Sequence, residues 1–233
     1  MNEKTAWNDV PTREIVSLDD PAFSGMLDIY QKSFPIEEQT LVSTFVKHLQ
    51  RRSRGGGERC HLDVIERDAT VAAFAFYEVG QAIDGLGTAA YLWYIASDEA
   101  VRGSGIGERL YRHVLREVMA AHDCRLLFFE IERYGEVLAK RGPAEAGLAE
   151  RRKAWYQRLG AAELTGVRYM CSVGWQPAVP MDVFVHLREP LSAEDVLGLR
   201  PSVLDDELEI VGPLRFDDGP PAPADGRQSW SAR

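Results

Sequence analysis

The sequence predicts a mixed α/β protein: a mostly antiparallel central sheet of about six or seven strands, helices on both faces, in a single domain. Three observations carry this expectation. Residues 71–79 and 89–97 are apolar on both alternating faces, the mark of strands covered on both sides. Residues 105–122 repeat Leu110, Val114 and Val118 at helical spacing, widened by Tyr111, Leu115 and Ala121, while Arg109, Arg112, Arg116 and Glu117 face away. Strand-like and helix-like runs follow one another as β-α-α-β-β-β-α-β-α-β-β, with hairpin-linked strands in the middle and crossover helices later. No polar linker divides the apolar runs and no internal repeat occurs. The domain is expected over 13–213, after an N-terminal extension, 1–12, and before a tail, 214–233, rich in Asp, Gly, Pro and Ala and expected to be disordered.

The elements follow in order. Residues 13–18 read as a first strand. Asp19-Asp20-Pro21 is a helix-start signal, since proline is tolerated at the first helical position, and a helix over 22–33 is broken near Pro35. Leu41, Val42, Phe45, Val46 and Leu49 recur at helical spacing, with Lys47, His48 and Arg51 opposite, until the glycine run Gly55-Gly56-Gly57 stops the helix. The period then turns strand-like. Residues 61–66 make a strand, Asp68-Ala69 a tight turn, and the two apolar strands follow, joined by a turn containing Asp84, Gly85 and Gly87. Beyond the long helix come a buried strand over 125–132 and a helix over 143–159 with Leu148, Trp155 and Leu159 on one side. Two alternating runs, Val167/Tyr169/Cys171/Val173 and Met181/Val183/Val185/Leu187, flank a turn region at 174–180. Ser192 and Asp195 open a short helix with an approximate capping box.

Composition narrows the function. The 233 residues carry 27 Lys+Arg against 36 Asp+Glu, a net charge of −9, which argues against non-specific nucleic-acid binding because that affinity comes from neutralising phosphates. The apolar runs fall far short of the ~20 residues that span a bilayer, and the N-terminus lacks the apolar core of a secretory signal. Cys60, Cys124 and Cys171 show no metal-ligand spacing, so a reduced, cytoplasmic setting is expected and no metal. The five histidines show no metal spacing either.

The chemistry concentrates in one turn. A buried strand ends at Tyr94-Ile95-Ala96-Ser97, a short polar turn follows, and three glycines at alternate positions open the amphipathic helix: Arg102-Gly103-Ser104-Gly105-Ile106-Gly107. Backbone N–H groups converge in such a turn, the helix N-terminus adds partial positive charge, and glycine lets an anion approach closely. The turn reads as a phosphate or pyrophosphate site, against the alternative of a glycine turn needed only for close packing. It is not a Walker loop, because Glu108 and Arg109 follow Gly107 where Lys-Ser/Thr would be needed. Nor is it a dinucleotide fingerprint, because the sixth place from Gly103 is Glu108.

With those residues in view, the sequence resembles the GNAT superfamily of acetyl-CoA-dependent N-acyltransferases. Its signature, Arg/Gln-x-x-Gly-x-Gly/Ala, is met by residues 102–107, and its Tyr-x-x-x-Gly-Phe motif is nearly met by Tyr156-Gln157-Arg158-Leu159-Gly160-Ala161, with alanine in place of phenylalanine. The resemblance covers about 13–187. It implies acetyl-CoA as co-substrate, its pyrophosphate on Arg102, Gly103, Ser104, Gly105, Ile106 and Gly107, and its pantetheine arm paired with the bulged strand backbone at Tyr94, Ile95, Ala96 and Ser97.

Acyl transfer from a thioester to an amine requires positioning, a deprotonated amine and a proton for the departing thiolate. The resemblance puts Tyr156 beside the sulfur as general acid. For the base, Glu130 and Glu132 share one face of the 125–132 strand and continue the apolar Leu126 and Phe128, so Glu130 is a candidate beside a water chain to backbone. The segment between the first two helices lines the acceptor pocket in many relatives, which makes Phe34 and Glu37, with Glu132, candidates for acceptor binding. The expected activity is N-acetylation of a primary amine of a small molecule. A protein or peptide N-terminus is the alternative acceptor, and a non-catalytic coenzyme A sensor is the alternative class. The expected partners are acetyl-CoA and an amine, with neither nucleic acid nor membrane; a homodimer is compatible with the reading.

Overall fold

A computed structural model describes residues 7, 9–53, 59–80, 87–172, 177–200 and 208–217. The expected class is the one observed: α/β, with mostly antiparallel strands. The described residues contain eight strands rather than six or seven. They fall into two compact units, one from residues up to Gly80 with Ala90–His122, the other chiefly from Asp123–Ser172 and the described residues after 177.

The first unit is built on the ladder β1 (Thr12–Glu14), β2 (Cys60–Arg67), β3 (Thr70–Val79) and β4 (Thr88–Ser97), each strand antiparallel to the next. Asp68 and Ala69 both have positive φ, the conformation of a tight hairpin turn. Alternation gives the ladder two unlike faces. On one, Leu62, Val64, Phe74, Phe76 and Tyr94 pack with α1 (Ala22–Ser33) and α2 (Val42–Ser53) through Met26, Ile29, Tyr30, Phe45 and Leu49. The start of α1 is set by Asp20, which accepts the Ala22 N–H at 2.9 Å and pairs with Arg13. On the other face lie His61, Asp63 and Tyr77. There Tyr77 O–H donates to Asp63 at 3.1 Å, and the same carboxylate oxygen stands 3.1 Å from Nε2 of His113, on α3 (Ile106–Arg116). The helix ends in a wide turn, Glu117–Ala121, where the His122 N–H reaches back to the Glu117 carbonyl.

The second unit has its own antiparallel ladder, β5 (Cys124–Glu132), β7 (Val179–Leu187), β6 (Ala162–Cys171) and β8 (Leu208–Asp217), in that spatial order. Between β5 and β6 run α4 (Tyr134–Arg141) and α5 (Pro143–Arg158), with α6 (Ala193–Gly198) after β7. The Ser192 hydroxyl and Asp195 form a reciprocal capping box at the start of α6, as expected.

Several expectations are corrected. The first strand is three residues long, and Val16 beyond it is exposed. Leu41 precedes α2 and is exposed rather than part of its buried face. In α5 the buried side is Ala146, Ala149 and Tyr156, while Leu148 is 43% exposed, because α4 packs Val137 against the alanines. α4 and β8 were not indicated by the sequence. The glycine run 55–57, the turn at 84–85, residues 174–176 of the 174–180 region and residues 218–233 of the expected tail lie outside the described residues. No helix among the described residues is long and apolar enough to cross a membrane.

One backbone feature of the second unit is testable. Where β6 pairs with β8, the register slips by three residues at Gly166, whose φ is +83°. A Cβ there would come within 2.7 Å of the Pro213 carbonyl carbon. Gly166→Ala combines left-handed strain with a backbone clash and should cost about 2–4 kcal/mol of stability. Denaturant titration checks this; an unchanged midpoint would show that β8 can move aside freely.

Candidate active site

At the end of β4, the register with β3 runs Phe76↔Tyr94 and then Tyr77↔Leu92, leaving Trp93 as an unpaired extra residue. The resemblance implied a bulge at Tyr94 to Ser97; the irregularity lies one residue earlier, at Trp93. Ala96 and Ser97 remain paired with Phe74 and Ala73, so Ile95 to Ser97 run straight into the turn. Asp98 then caps a short 3₁₀ turn, Glu99–Val101, by accepting the Ala100 N–H at 2.9 Å.

The glycine-rich loop follows. Gly103 has φ +79° and Gly105, the residue capping α3, has φ +89°. Side chains rarely adopt that conformation, so glycine is required there on backbone grounds alone. The Arg102 and Ser104 N–H groups are spent inside the turn, on the Glu99 and Val101 carbonyls, and the Arg109 N–H is bonded to the Gly105 carbonyl. Helix geometry leaves the amides of Ile106, Gly107 and Glu108 without an intrahelical acceptor. A Cβ at Gly103, Gly105 or Gly107 would meet nothing within 4 Å, so the space beside all three is open. The Ser104 hydroxyl oxygen is buried with no partner among the described residues, and the Arg102 side chain is exposed. Free amides, an orphaned hydroxyl, open space and a nearby guanidinium together fit a pyrophosphate.

α3 is held at both ends. His113 stands against Asp63, and Arg109, one turn into the helix, donates to the carbonyls of Trp7 and Val10. Desolvation holds the Arg109 pKa below its ordinary value.

The connection between α1 and α2 is a fixed structure. Phe34 meets Tyr30 and Tyr94 with ring centroids 5.7 and 4.9 Å apart. Ile36–Glu38 forms a 3₁₀ turn in which Glu37 is half-buried and Glu38 is buried. The Gln39 side-chain amide donates to the Phe34 carbonyl at 2.6 Å, and Tyr30 O–H donates to the Thr40 carbonyl at 2.9 Å. Sequence reasoning selected Glu37 and missed Glu38; two adjacent acids carry no signal telling which one the turn buries. It also passed over Trp93, whose indole N–H is buried without a partner among the described residues.

In the second unit, Tyr156 is buried on α5, its ring 4.4 Å from Phe129 and 4.7 Å from Trp155. Burial pushes its hydroxyl pKa up; Arg152 opposes this, and Glu132 and Glu130 reinforce it. Alternation along β5 assigns Phe129, and Tyr156 with it, to one face and Glu130 to the other. There the Cys171 thiol lies 3.9 Å from a Glu130 carboxylate oxygen. Glu132, the last residue of β5, is ion-paired with Arg152. Arg133 pairs with Asp182, and Lys153 with Glu163. In the basic run Arg151-Arg152-Lys153, two of the three members hold carboxylates. No cluster of His, Cys, Asp and Glu among the described residues could hold a metal ion.

Comparison with known proteins bears on the family and the fold. A family model described as the Acetyltransferase (GNAT) family matches residues 23–137. No curated protein matches the chain. Among solved structures, a Bacteroides thetaiotaomicron protein assigned to the GNAT acetyltransferase family is 25% identical, with a TM-score of 0.58, over 82% of this chain and 93% of that one. The Escherichia coli ribosomal-protein-S18-alanine N-acetyltransferase shares the fold at 19% identity and a TM-score of 0.50, over 78% and 97% of the two chains. A protein assigned as a phosphinothricin N-acetyltransferase does so at 18% identity and 0.52, over 77% and 98%.

Proposed function

The chain belongs to the GNAT acetyltransferase family and is an acyltransferase, and from that premise we propose that it moves an acetyl group from acetyl-CoA to a primary amine of a small molecule by direct attack. The observation that carries the donor half is the loop of Gly103 to Gly107, with open space beside its glycines and the buried, unpartnered Ser104 hydroxyl. In this reading the pyrophosphate rests on the amides at the start of α3, Arg102 adds its charge, and the β4 backbone from Tyr94 to Ser97 pairs with the pantetheine arm.

The amine reaches the enzyme as an ammonium ion, with a pKa of about 10.4, and must lose a proton before it can attack. Glu130, which stands on the face of β5 opposite Tyr156, is our candidate for the group that takes it through a bridging water, with a water chain to backbone as the alternative. The nitrogen then bonds to the thioester carbonyl carbon, the C–S bond breaks, and the sulfur leaves with the electron pair. Tyr156 gives that sulfur its proton, and the second proton, which the nitrogen sheds as it becomes an amide, returns through solvent to restore the phenol. Burial keeps the phenol un-ionised through the neutral range, so the proton is present when the thiolate develops. A thiolate forming in an equally dry place is disfavoured as an anion too, which keeps the transfer matched.

For the acceptor, the two relatives named above point both ways, one to a ribosomal protein and one to a small molecule. The small-molecule reading is favoured by the connection 34–40, whose bonds from Tyr30 and Gln39 preform it as a fixed wall. Half-buried Glu37 on that wall favours a cationic amine, since reduced screening strengthens the attraction. Thiol release from acetyl-CoA, measured across a library of cationic, neutral and anionic amines together with peptides, is expected to pick out cationic small amines. Glu37→Gln should then raise the acceptor KM without changing acetyl-CoA affinity. A library in which only peptides react would replace the small-molecule acceptor, and one in which only neutral or anionic amines react would remove the role given to Glu37.

A further inference from the structure

Tyr94 takes part in two structures at once. Its backbone belongs to the stretch of β4 read above as the partner of the pantetheine arm. Its side chain is buried against the connection between α1 and α2. The phenol O–H donates to the Glu38 carbonyl at 2.9 Å, and the phenol oxygen accepts the Thr40 N–H at 2.9 Å. The ring meets Tyr30 and Phe34 edge-on, each at 4.9 Å, and Phe45 at 6.1 Å. One hydroxyl therefore grips the acceptor loop on both sides of Gln39. The bonds from Tyr30 and Gln39 come from α1 and from the loop itself; Tyr94 brings in the sheet.

We infer that Tyr94 is a positioning residue for the acceptor: a single side chain through which the strand carrying the acetyl-CoA arm holds the loop that receives the amine. The inference rests on the acyltransferase reading above. Trp93, immediately before it, has no cross-strand partner in the ladder with β3, so the register with β3 is broken there. Hydrogen bonds from a bound arm to the backbone at Tyr94 restrain that bulge, and the hydroxyl passes the restraint on to Thr40. Ordering one site lowers the cost of ordering the other, without any change of shape.

The test is amide hydrogen exchange read residue by residue, in wild type and Tyr94→Phe, with and without acetyl-CoA, whose binding is followed by calorimetry. Phenylalanine keeps the ring packing and removes the hydroxyl. In the free variant the Thr40 amide should exchange up to about 10-fold faster, the size of one lost hydrogen bond. The Gln39 amide, bonded to the Ile36 carbonyl, should keep its rate. Acetyl-CoA should slow Thr40 exchange in the wild type and leave it unchanged in the variant, although both bind acetyl-CoA with similar affinity. With a reactive amine, the variant should show a raised acceptor KM and an unaltered KM for acetyl-CoA. Unchanged Thr40 exchange in the free variant overturns the inference, as does an acetyl-CoA effect that survives the substitution. Absence of binding heat with the wild type would instead overturn the acyl-donor reading, and the coupling with it; the free-protein rates separate that failure from a hydroxyl that never held the loop.

Discussion

Gly105→Glu is expected to abolish acetyl-CoA binding. Three effects act together at this position. Its φ of +89° is strained for any side chain, at a cost of about 1–2 kcal/mol. A Cβ there meets nothing within 4 Å, so the new side chain is not forced out of the loop by packing and stands in the space proposed for the pyrophosphate. Its carboxylate also satisfies the helix amides that the phosphate would use and repels the phosphate's own charge. Gly105→Ala separates the causes, since it carries the strain without the bulk or the charge. Calorimetry should show weakened binding for alanine and none for glutamate. Wild-type affinity in the glutamate variant would remove the pyrophosphate from this loop.

Tyr156→Phe is expected to lower turnover by ~10²-fold or more, the usual contribution of a general acid, with acetyl-CoA affinity nearly unchanged. The ring contacts with Phe129 and Trp155 need no hydroxyl and should survive. The upward shift of the phenol pKa also fixes the sign of the pH dependence. The reactive form is the protonated one, present below the raised pKa, so ionisation of Tyr156 should not limit turnover in the neutral range. Turnover should instead rise with pH as the base loses its proton, and that rise should persist in the variant at a lower level. A variant with unchanged turnover, where chemistry is rate-limiting, would leave Tyr156 as a packing residue.

What could be read from the sequence, and what could not, follows from how loudly each element writes its pattern. β3 and β4 are buried on both faces and α3 has a wide apolar stripe, so their residues announce them. The glycines of the loop were equally legible, because side chains rarely adopt the conformations of Gly103 and Gly105. α4 and the first turns of α5 pack through Val137, Ala146 and Ala149, and small residues leave hardly any hydrophobic contrast. Leu148 then supplied contrast on the wrong side. β8 was hidden by Gly212-Pro213, which reads as a turn; the structure absorbs it as a slip of register against Gly166. The face on which Glu130 stands was not legible either, since a one-residue slip reverses it.

The clamp made by Arg109 bears on how the protein should be handled. Its guanidinium gives both of its described hydrogen bonds to main-chain carbonyls at Trp7 and Val10, ahead of the first strand. A domain trimmed to begin at Arg13 looks harmless on the linear map, yet it would strip a partly desolvated cation of those acceptors one helical turn from the glycine-rich loop. Leaving a half-buried guanidinium without its acceptors destabilises the helix start it anchors. Shortened versions and bulky N-terminal fusions thus risk being mistaken for evidence against cofactor binding, and affinity tags belong at the other terminus.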